Sequence, residues 1–454
     1  MIYSINPSTE EILAEYAEYS DQKISGCIEK TELAYHFHKK IPLEKRISLM
    51  LNAASVLEKQ KEELSKLMTL EMGKPIIQSR MEIDKCIWLC NYYCENAEHF
   101  LADEFIKTDA RKSFVSFQPL GIILAVMPWN FPFWQVFRFA VPNLLAGNAC
   151  LLKHSSNVSG TALAIEKIFS EAGYTENLFS TLIISSSKVK QVIEHPFVKA
   201  VTITGSTTAG KSVAVIAGNV LKKTVLELGG SDPYLILEDA DLLEASKTCV
   251  TSRLINSGQS CIAAKRFIVV EKVFDHFRDY FVEQMKLRKM GNPLDESNSI
   301  GPQARIDLRN ELHIQVEQSV KQGAELLLGG FIPEGKGAFY PPTVLTNVDE
   351  NNIAFQEEIF GPIAPLIKAK DEDDAIRLAN NTVFGLGAVV FTEDLVKGER
   401  IAKEKILAGA CFVNSFVKSD PRLPFGGINQ SGYGRELGLF GIREFVNIKT
   451  IYVS

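Results

Sequence analysis

Between residues 20 and 106, apolar positions recur at three-and-four spacing among charged ones, the period of amphipathic helices. Ser48 to Glu71 carries this pattern most clearly, Gly73 and Pro75 interrupt it, and a second helical stretch runs on to about Glu95. From residue 114 the period changes. Phe114 to Leu120 alternates as a strand does, and Gly121 to Met127 is a continuous apolar run that ends at Pro128, as a buried parallel strand would. Further short apolar runs lie at Ala149 to Leu152, Leu182 to Ser185, Ala200 to Thr204 and Thr224 to Leu228, separated by helical patterns. This is the rhythm of a doubly wound α/β domain. Pro233 to Leu237 and Arg266 to Val270 open a second series, continued by Ala388 to Phe391 and Ala410 to Asn414. No repeats and no low-complexity linker separate the two series, so the domains are expected to interleave.

The chain has 454 residues, of which 46% are hydrophobic and 23% charged, enough for two or three domains with sizeable cores. A net charge of −6 argues against a nucleic-acid partner. No run of about 18 apolar residues is present, so no membrane span is expected. The N-terminus lacks a basic stretch followed by an apolar one, and the eight cysteines form no paired framework, which points to the reducing cytoplasm. Cys86, Cys90 and Cys94 share one helical stripe beside Ile87, Trp88 and Leu89; this reads as packing, and no metal site is expected.

Two residues carry the reactive chemistry. Cys261 lies among small polar neighbours in Asn256-Ser257-Gly258-Gln259-Ser260-Cys261, as an accessible nucleophile would. Glu227 lies in Leu226-Glu227-Leu228-Gly229-Gly230, a partly apolar place that suits a base of raised pKa. Together they suggest attack by sulfur on a carbonyl carbon and release by water. A rival reading comes from Gly205-Ser206-Thr207-Thr208-Ala209-Gly210-Lys211-Ser212, a literal phosphate-loop match between a strand and a helix. Glu238-Asp239 after an apolar strand would complete a P-loop NTPase. Against this, a glycine-rich turn opening a helix binds any phosphate, a dinucleotide's included.

Six segments in order make the chain resemble the NAD(P)-dependent aldehyde dehydrogenase superfamily over essentially its whole length. They are Pro128-Trp129-Asn130-Phe131-Pro132, Thr204-Gly205-Ser206, Glu227-Leu228-Gly229-Gly230, Gly258-Gln259-Ser260-Cys261, Glu358-Ile359-Phe360-Gly361-Pro362 and Pro424-Phe425-Gly426-Gly427. The resemblance implies an α/β fold of two interleaved doubly wound domains plus a small β oligomerisation element. Residues 1–106 and 121–229 would bind cofactor, 230–430 would form the catalytic domain, and 107–120 with 431–454 would mediate assembly as a homodimer or homotetramer. It further implies Cys261 as nucleophile, Asn130 as oxyanion donor and Glu227 as base. Trp129, Lys153, Ser156, Gly205, Ser206, Gly210, Leu228, Glu358 and Phe360 would line the cofactor site, with Glu358 on the nicotinamide ribose. NAD-preferring members usually carry Glu where this chain has Ser156, so NADP is expected to be accepted, with or without NAD. His154 reads as a loop residue.

Arg138, eight positions after Asn130, lies amid Phe137 and Phe139 and needs an anionic partner if buried. In the superfamily, succinate-semialdehyde dehydrogenases carry Arg there to hold the substrate's distal carboxylate, and several segments are similar to their shorter, bacterial type. The plain alternative is a structural ion pair. The longer type has a second substrate Arg where this chain has Ile255; the direction of nearby Arg253 is left open. The substrate implied is an aldehyde carrying a carboxylate, succinate semialdehyde foremost, with a broad-specificity aldehyde dehydrogenase as the alternative.

Overall fold

A parallel strand covered on both faces is largely apolar, and such runs lie at the centre of two sheets in the computed structural model, which describes residues 1–454. The first sheet has six strands in the order Gly432–Tyr433, Lys223–Glu227, Val198–Thr204, Ile122–Met127, Ala149–His154 and Phe179–Thr181. All neighbours run parallel except the antiparallel pair Gly432–Tyr433 and Lys223–Glu227. The second sheet has seven strands: Glu325–Leu328, Thr343–Thr346, Ile363–Ala369, Arg266–Val270, Pro233–Ile236, Gly387–Phe391 and Ala410–Val413. Alternate residues of its central strands serve separate cores on its two faces, Leu235 and Ile268 in one, Tyr234, Phe267 and Val269 in the other. A three-stranded antiparallel sheet joins Val446–Val453, Lys112–Pro119 and Glu104–Phe105, and a hairpin pairs Ile2–Ile5 with Ile12–Tyr16.

Several expected boundaries move. The strand placed at Leu182 to Ser185 is Phe179–Thr181 instead, because its ladder follows Cys150 to Leu152; Leu182 to Ile184 are buried without pairing as a strand. An apolar run reports burial, and burial does not require a ladder. The helices span Leu43–Met72 and Ile76–Leu101, longer than expected, and Gly73 caps the first with φ 81°. Gly432–Tyr433 pairs in the six-stranded sheet rather than with Val446–Val453, and Glu104–Phe105 pairs in the three-stranded sheet. The N-terminal hairpin and the strands Glu325–Leu328, Thr343–Thr346 and Ile363–Ala369 carried no pattern strong enough to be read.

One helix contact bears directly on the site. The helix Trp134–Ala146 is buried along its whole length and has no side-chain cap of its own. Glu82, reaching from Ile76–Leu101, accepts hydrogen bonds from the backbone N–H groups of Phe133 and Trp134, each at 2.9 Å. Its other oxygen pairs with Lys74, whose side chain is completely buried and whose ammonium lies 4.0 Å from the Phe131 ring centroid. Glu82 thereby caps the helix electrostatically and anchors the turn that precedes it. Replacing Glu82 by Ala strands a buried ammonium and two amides. We expect a loss of about 3–5 kcal/mol in stability, read as a lower urea midpoint at constant slope.

Candidate active site

The helix Leu242–Leu254 ends in an unusual loop. Asn256, Ser257 and Gly258 are all left-handed, with φ of 52°, 54° and 79°. Such a run is strained for Asn and Ser and persists only when its surroundings hold it. Here they do. The Asn256 N–H donates to Gln78 Oε1 at 2.7 Å, its side-chain amide donates to the Asn130 carbonyl at 2.7 Å, and Ser257 Oγ accepts from the Gly301 N–H at 3.0 Å. A Cβ on Gly258 would overlap the Gly361 carbonyl, so this loop presses directly on the Glu358 to Pro362 segment. Arg253 donates to the Gly258 carbonyl at 2.6 Å and lines none of the adjoining cavity, whereas Ile255 does. Its direction, open in the sequence, is toward the loop.

The loop delivers Cys261 to a mostly apolar cavity of about 250 Å³, whose wall includes Arg138, Phe131, Trp134, Ile262 and Phe425. Cys261 is half-buried. Burial pushes its thiol up to about 12, against the pull of nearby Lys265 and Arg138. Lys85 and Ser419, which sequence reasoning passed over, share the same wall.

Arg138 is both in the cavity wall and ion-paired. It is 3% exposed, pairs with Glu436, donates to Thr204 Oγ1 at 3.4 Å and lies 4.7 Å from the Phe425 ring centroid. The anionic partner it needs is therefore already in the protein. Glu436, in the glycine-rich stretch after Pro424, went unread; a lone carboxylate between Arg435 and Leu437 there was its only signal. Glu227 lies in the same buried charge group. Burial raises its pKa well above the carboxylate range, Glu436 adds to the rise, and Arg138 opposes it. Both Glu227 side-chain oxygens lack hydrogen-bond partners, and neither Glu227 nor Asn130 lines the Cys261 cavity. Asn130 is oriented from both ends: its Oδ1 accepts from Gln135 at 3.0 Å and its Nδ2 donates to the Gln259 carbonyl at 3.0 Å. A side-chain amide has two N–H groups, so one remains free.

The residues expected to hold a cofactor gather at the carboxyl ends of the six-stranded sheet, where dinucleotides bind in open α/β folds. Ser206 caps the helix Thr207–Asn219, and the Gly205 N–H donates to the Glu227 carbonyl at 3.0 Å. A Cβ on Gly210 would overlap the Leu228 methyls, so these two residues pack on each other. Lys153 is 8% exposed, forms no ion pair and has its pKa lowered by burial; Ser156, half-buried, opens the turn beyond it. An enclosed ammonium without a counter-ion fits an anionic ligand. Trp129 and Phe360 meet edge to face at 5.8 Å. Glu358 accepts from the Gly230 N–H at 3.1 Å and pairs with Lys265 at 3.4 Å. Lys265, four residues after Cys261, gave no sign of this in the sequence. His154 is no loop residue: it ends the strand Ala149–His154, is 5% exposed, and its Nε2 lies 3.0 Å from the Pro132 carbonyl.

The NTPase reading fails on topology. Glu238 and Asp239 follow a strand of the seven-stranded sheet, pairing with Lys272 and Lys397, while Gly205 to Ser212 belongs to the other sheet. Lys211 is exposed and reaches Gln430 at 3.5 Å.

With the thiol raised to about 12, the neutral form dominates near pH 7 without ligands. Alkylation of Cys261 by iodoacetamide should therefore accelerate about tenfold per pH unit between pH 7 and 9, with no plateau. A plateau below pH 8 would mean that the thiolate already dominates there.

Comparison with known proteins agrees with the arrangement. The model of the aldehyde dehydrogenase family matches residues 1–451. A probable succinate-semialdehyde dehydrogenase [NADP(+)] of Synechocystis is 45% identical over 453 residues, covering 100% of both chains. A succinate-semialdehyde dehydrogenase [NADP(+)] of Mycobacterium avium is 45% identical over 100% of this chain and 97% of its own. Among solved structures, succinic semialdehyde dehydrogenase from Streptococcus pyogenes with NADP+ superposes with a TM-score of 0.97 at 36% identity, covering 100% of both chains. An NAD-dependent aldehyde dehydrogenase from Sinorhizobium meliloti gives 0.97 at 32%, covering 100% of this chain and 91% of that one. With the family model matching residues 1–451, this chain belongs to the aldehyde dehydrogenase family.

Proposed function

We propose that this protein oxidises an aldehyde bearing a distal carboxylate, succinate semialdehyde foremost, to the dicarboxylate through a thioester on Cys261. The observation that carries this reading is the cavity: a half-buried cysteine faces an apolar wall that also presents cationic side chains. An apolar chamber of about 250 Å³ suits a short aldehyde, and cations in its wall suit the carboxylate. The full-length relatives named for succinate semialdehyde support the same substrate.

The chain's residues have distinct tasks. Cys261 Sγ gives its proton to solvent water and adds as the thiolate to the carbonyl carbon. The oxyanion formed takes the free N–H of Asn130 Nδ2, an amide held in place by Gln135 and Gln259, and the Cys261 backbone N–H. The bound nicotinamide supplies the hydride acceptor. Glu227 then takes a proton from water, the resulting hydroxide attacks the thioester, and the Cys261 thiolate leaves. A carboxylate buried without hydrogen-bond partners holds a proton readily, which favours Glu227 for this step. Glu358 and Phe360 would hold the nicotinamide end of the cofactor, and Lys153 its adenosine ribose; Gly205, Ser206 and Gly210 would carry the pyrophosphate, beside Trp129 and Leu228. Ser156 adds no negative charge beside Lys153, and this favours a 2′-phosphate, hence NADP, with NAD as the second cofactor. Exposed Phe105, Ile448 and Tyr452 on the three-stranded sheet support pairing between subunits as a homodimer or homotetramer. Eight free cysteines suit a reducing cytoplasm.

Steady-state NAD(P)H formation with a panel of aldehydes and both cofactors tests the substrate. Succinate semialdehyde should exceed butanal in kcat/KM by at least about tenfold, with NADP accepted; equal values for the two aldehydes would make this a broad-specificity enzyme. Glu227→Gln tests the base. Its first-turnover burst of NAD(P)H should survive, while the steady-state rate falls by about 10²–10⁴.

A further inference from the structure

Three cations line the Cys261 cavity: Lys85, Arg138 and Lys418. Their charges are met differently. Arg138 is paired with Glu436. Lys418 is exposed to solvent and lies 4.8 Å from the Phe416 ring centroid. Lys85 is half-buried and forms no ion pair. Its ammonium donates to Ser419 Oγ at 2.8 Å and lies 4.0 Å from the Trp134 ring centroid. The neighbouring acids are already taken. Glu82 holds Lys74 and the Phe133 and Trp134 amides. Asp420 is bound bidentately by Arg422 at 2.7 and 2.9 Å. An ammonium has three donors, and only one of these is used within the chain.

An enclosed cation with donors to spare and no counter-ion, on the wall of a substrate cavity, awaits an anion. Burial and the nearby Arg138 lower its pKa to about 8, the direction expected of an ammonium without a partner. Ser419 Oγ, which also accepts from Trp134 Nε1 at 3.0 Å, steadies the lysine from behind. We propose that Lys85 is the residue that grips the distal carboxylate of the aldehyde, and that Arg138, already neutralised by Glu436, supplies field rather than the principal contact. This rests on the carboxylate-bearing substrate proposed above. It differs from the sequence-based expectation, which gave the carboxylate mainly to Arg138.

The test compares kcat and KM for succinate semialdehyde and for butanal in the unmodified protein, in Lys85→Met and in Lys85→Arg. Met keeps the length of the side chain and removes its charge; Arg restores the charge. In Lys85→Met the ratio of kcat/KM for semialdehyde over butanal should fall about 10- to 100-fold, mainly through KM, and Lys85→Arg should recover most of it. Butanal turnover and the thermal midpoint report whether each variant is folded. If the unmodified protein prefers the semialdehyde and Lys85→Met retains that preference within about threefold, Lys85 is not the grip. An equal loss for both aldehydes would make Lys85 structural and also overturn the proposal. If the unmodified protein shows no preference, the substrate reading itself fails, which is a separate and distinguishable result.

Discussion

The site depends on one buried ammonium. Lys265 is 1% exposed, and its Nζ donates to the carbonyls of Ser260 at 2.9 Å and Cys261 at 2.6 Å while pairing with Glu358 at 3.4 Å. A charge so enclosed is tolerated only when its surroundings satisfy it, so the Cys261 loop and the Glu358 loop must both close on it. The adjoining backbone is tied down as well, since the N–H groups of Lys265 and Arg266 both donate to the Asp232 carbonyl at 3.1 Å. The same ammonium pulls the Cys261 thiol downward against burial. The position of Cys261 and the acidity of its thiol thus share a cause.

Glycine at 258 makes that closure possible. The carbonyl of Gly361 occupies the space a side chain would need, and the left-handed run through Asn256 and Ser257 turns the chain back after the helix Leu242–Leu254. The turn bearing Asn130 is held from the opposite side by Glu82 and by Asn256. Asn130, Cys261 and Glu358 therefore sit on three loops that brace one another rather than on one rigid element. Preorganisation of this kind lets donors meet developing charge without rearranging.

A second buried charge group lies behind the cavity. Glu227, Glu436 and Arg138 place two carboxyls against one guanidinium, and burial raises the pKa of both acids. In such a setting one carboxyl readily keeps a proton. Arg138 consequently has its charge met from within, which leaves Lys85 as the enclosed cation in the cavity wall without a carboxylate.

Much of this was legible in the chain. Continuous apolar runs predicted the strands Ile122–Met127, Val198–Thr204 and Arg266–Val270, since a strand buried on both faces leaves no other pattern. Cys261 stood out by its small polar neighbours, Glu227 by its place between Leu226 and Leu228 before two glycines, and Asn130 by the proline-bounded turn that displays it. Other features were invisible for a physical reason. Periodicity reports which face of a local element is buried; it says nothing about which distant charge will meet it. The match at Gly205 to Ser212 looked complete until the acids at Glu238 and Asp239 fell in a different sheet. Leu182 to Ile184 are buried as expected and still form no strand, because pairing was decided by Cys150 to Leu152 alongside. The sequence by itself determined the α/β character and the family. Only tertiary structure decided that Glu436 meets Arg138, that Lys265 ties Cys261 to Glu358, and that Lys85 faces the cavity unpaired, because ion pairing inside a protein depends on which elements pack together.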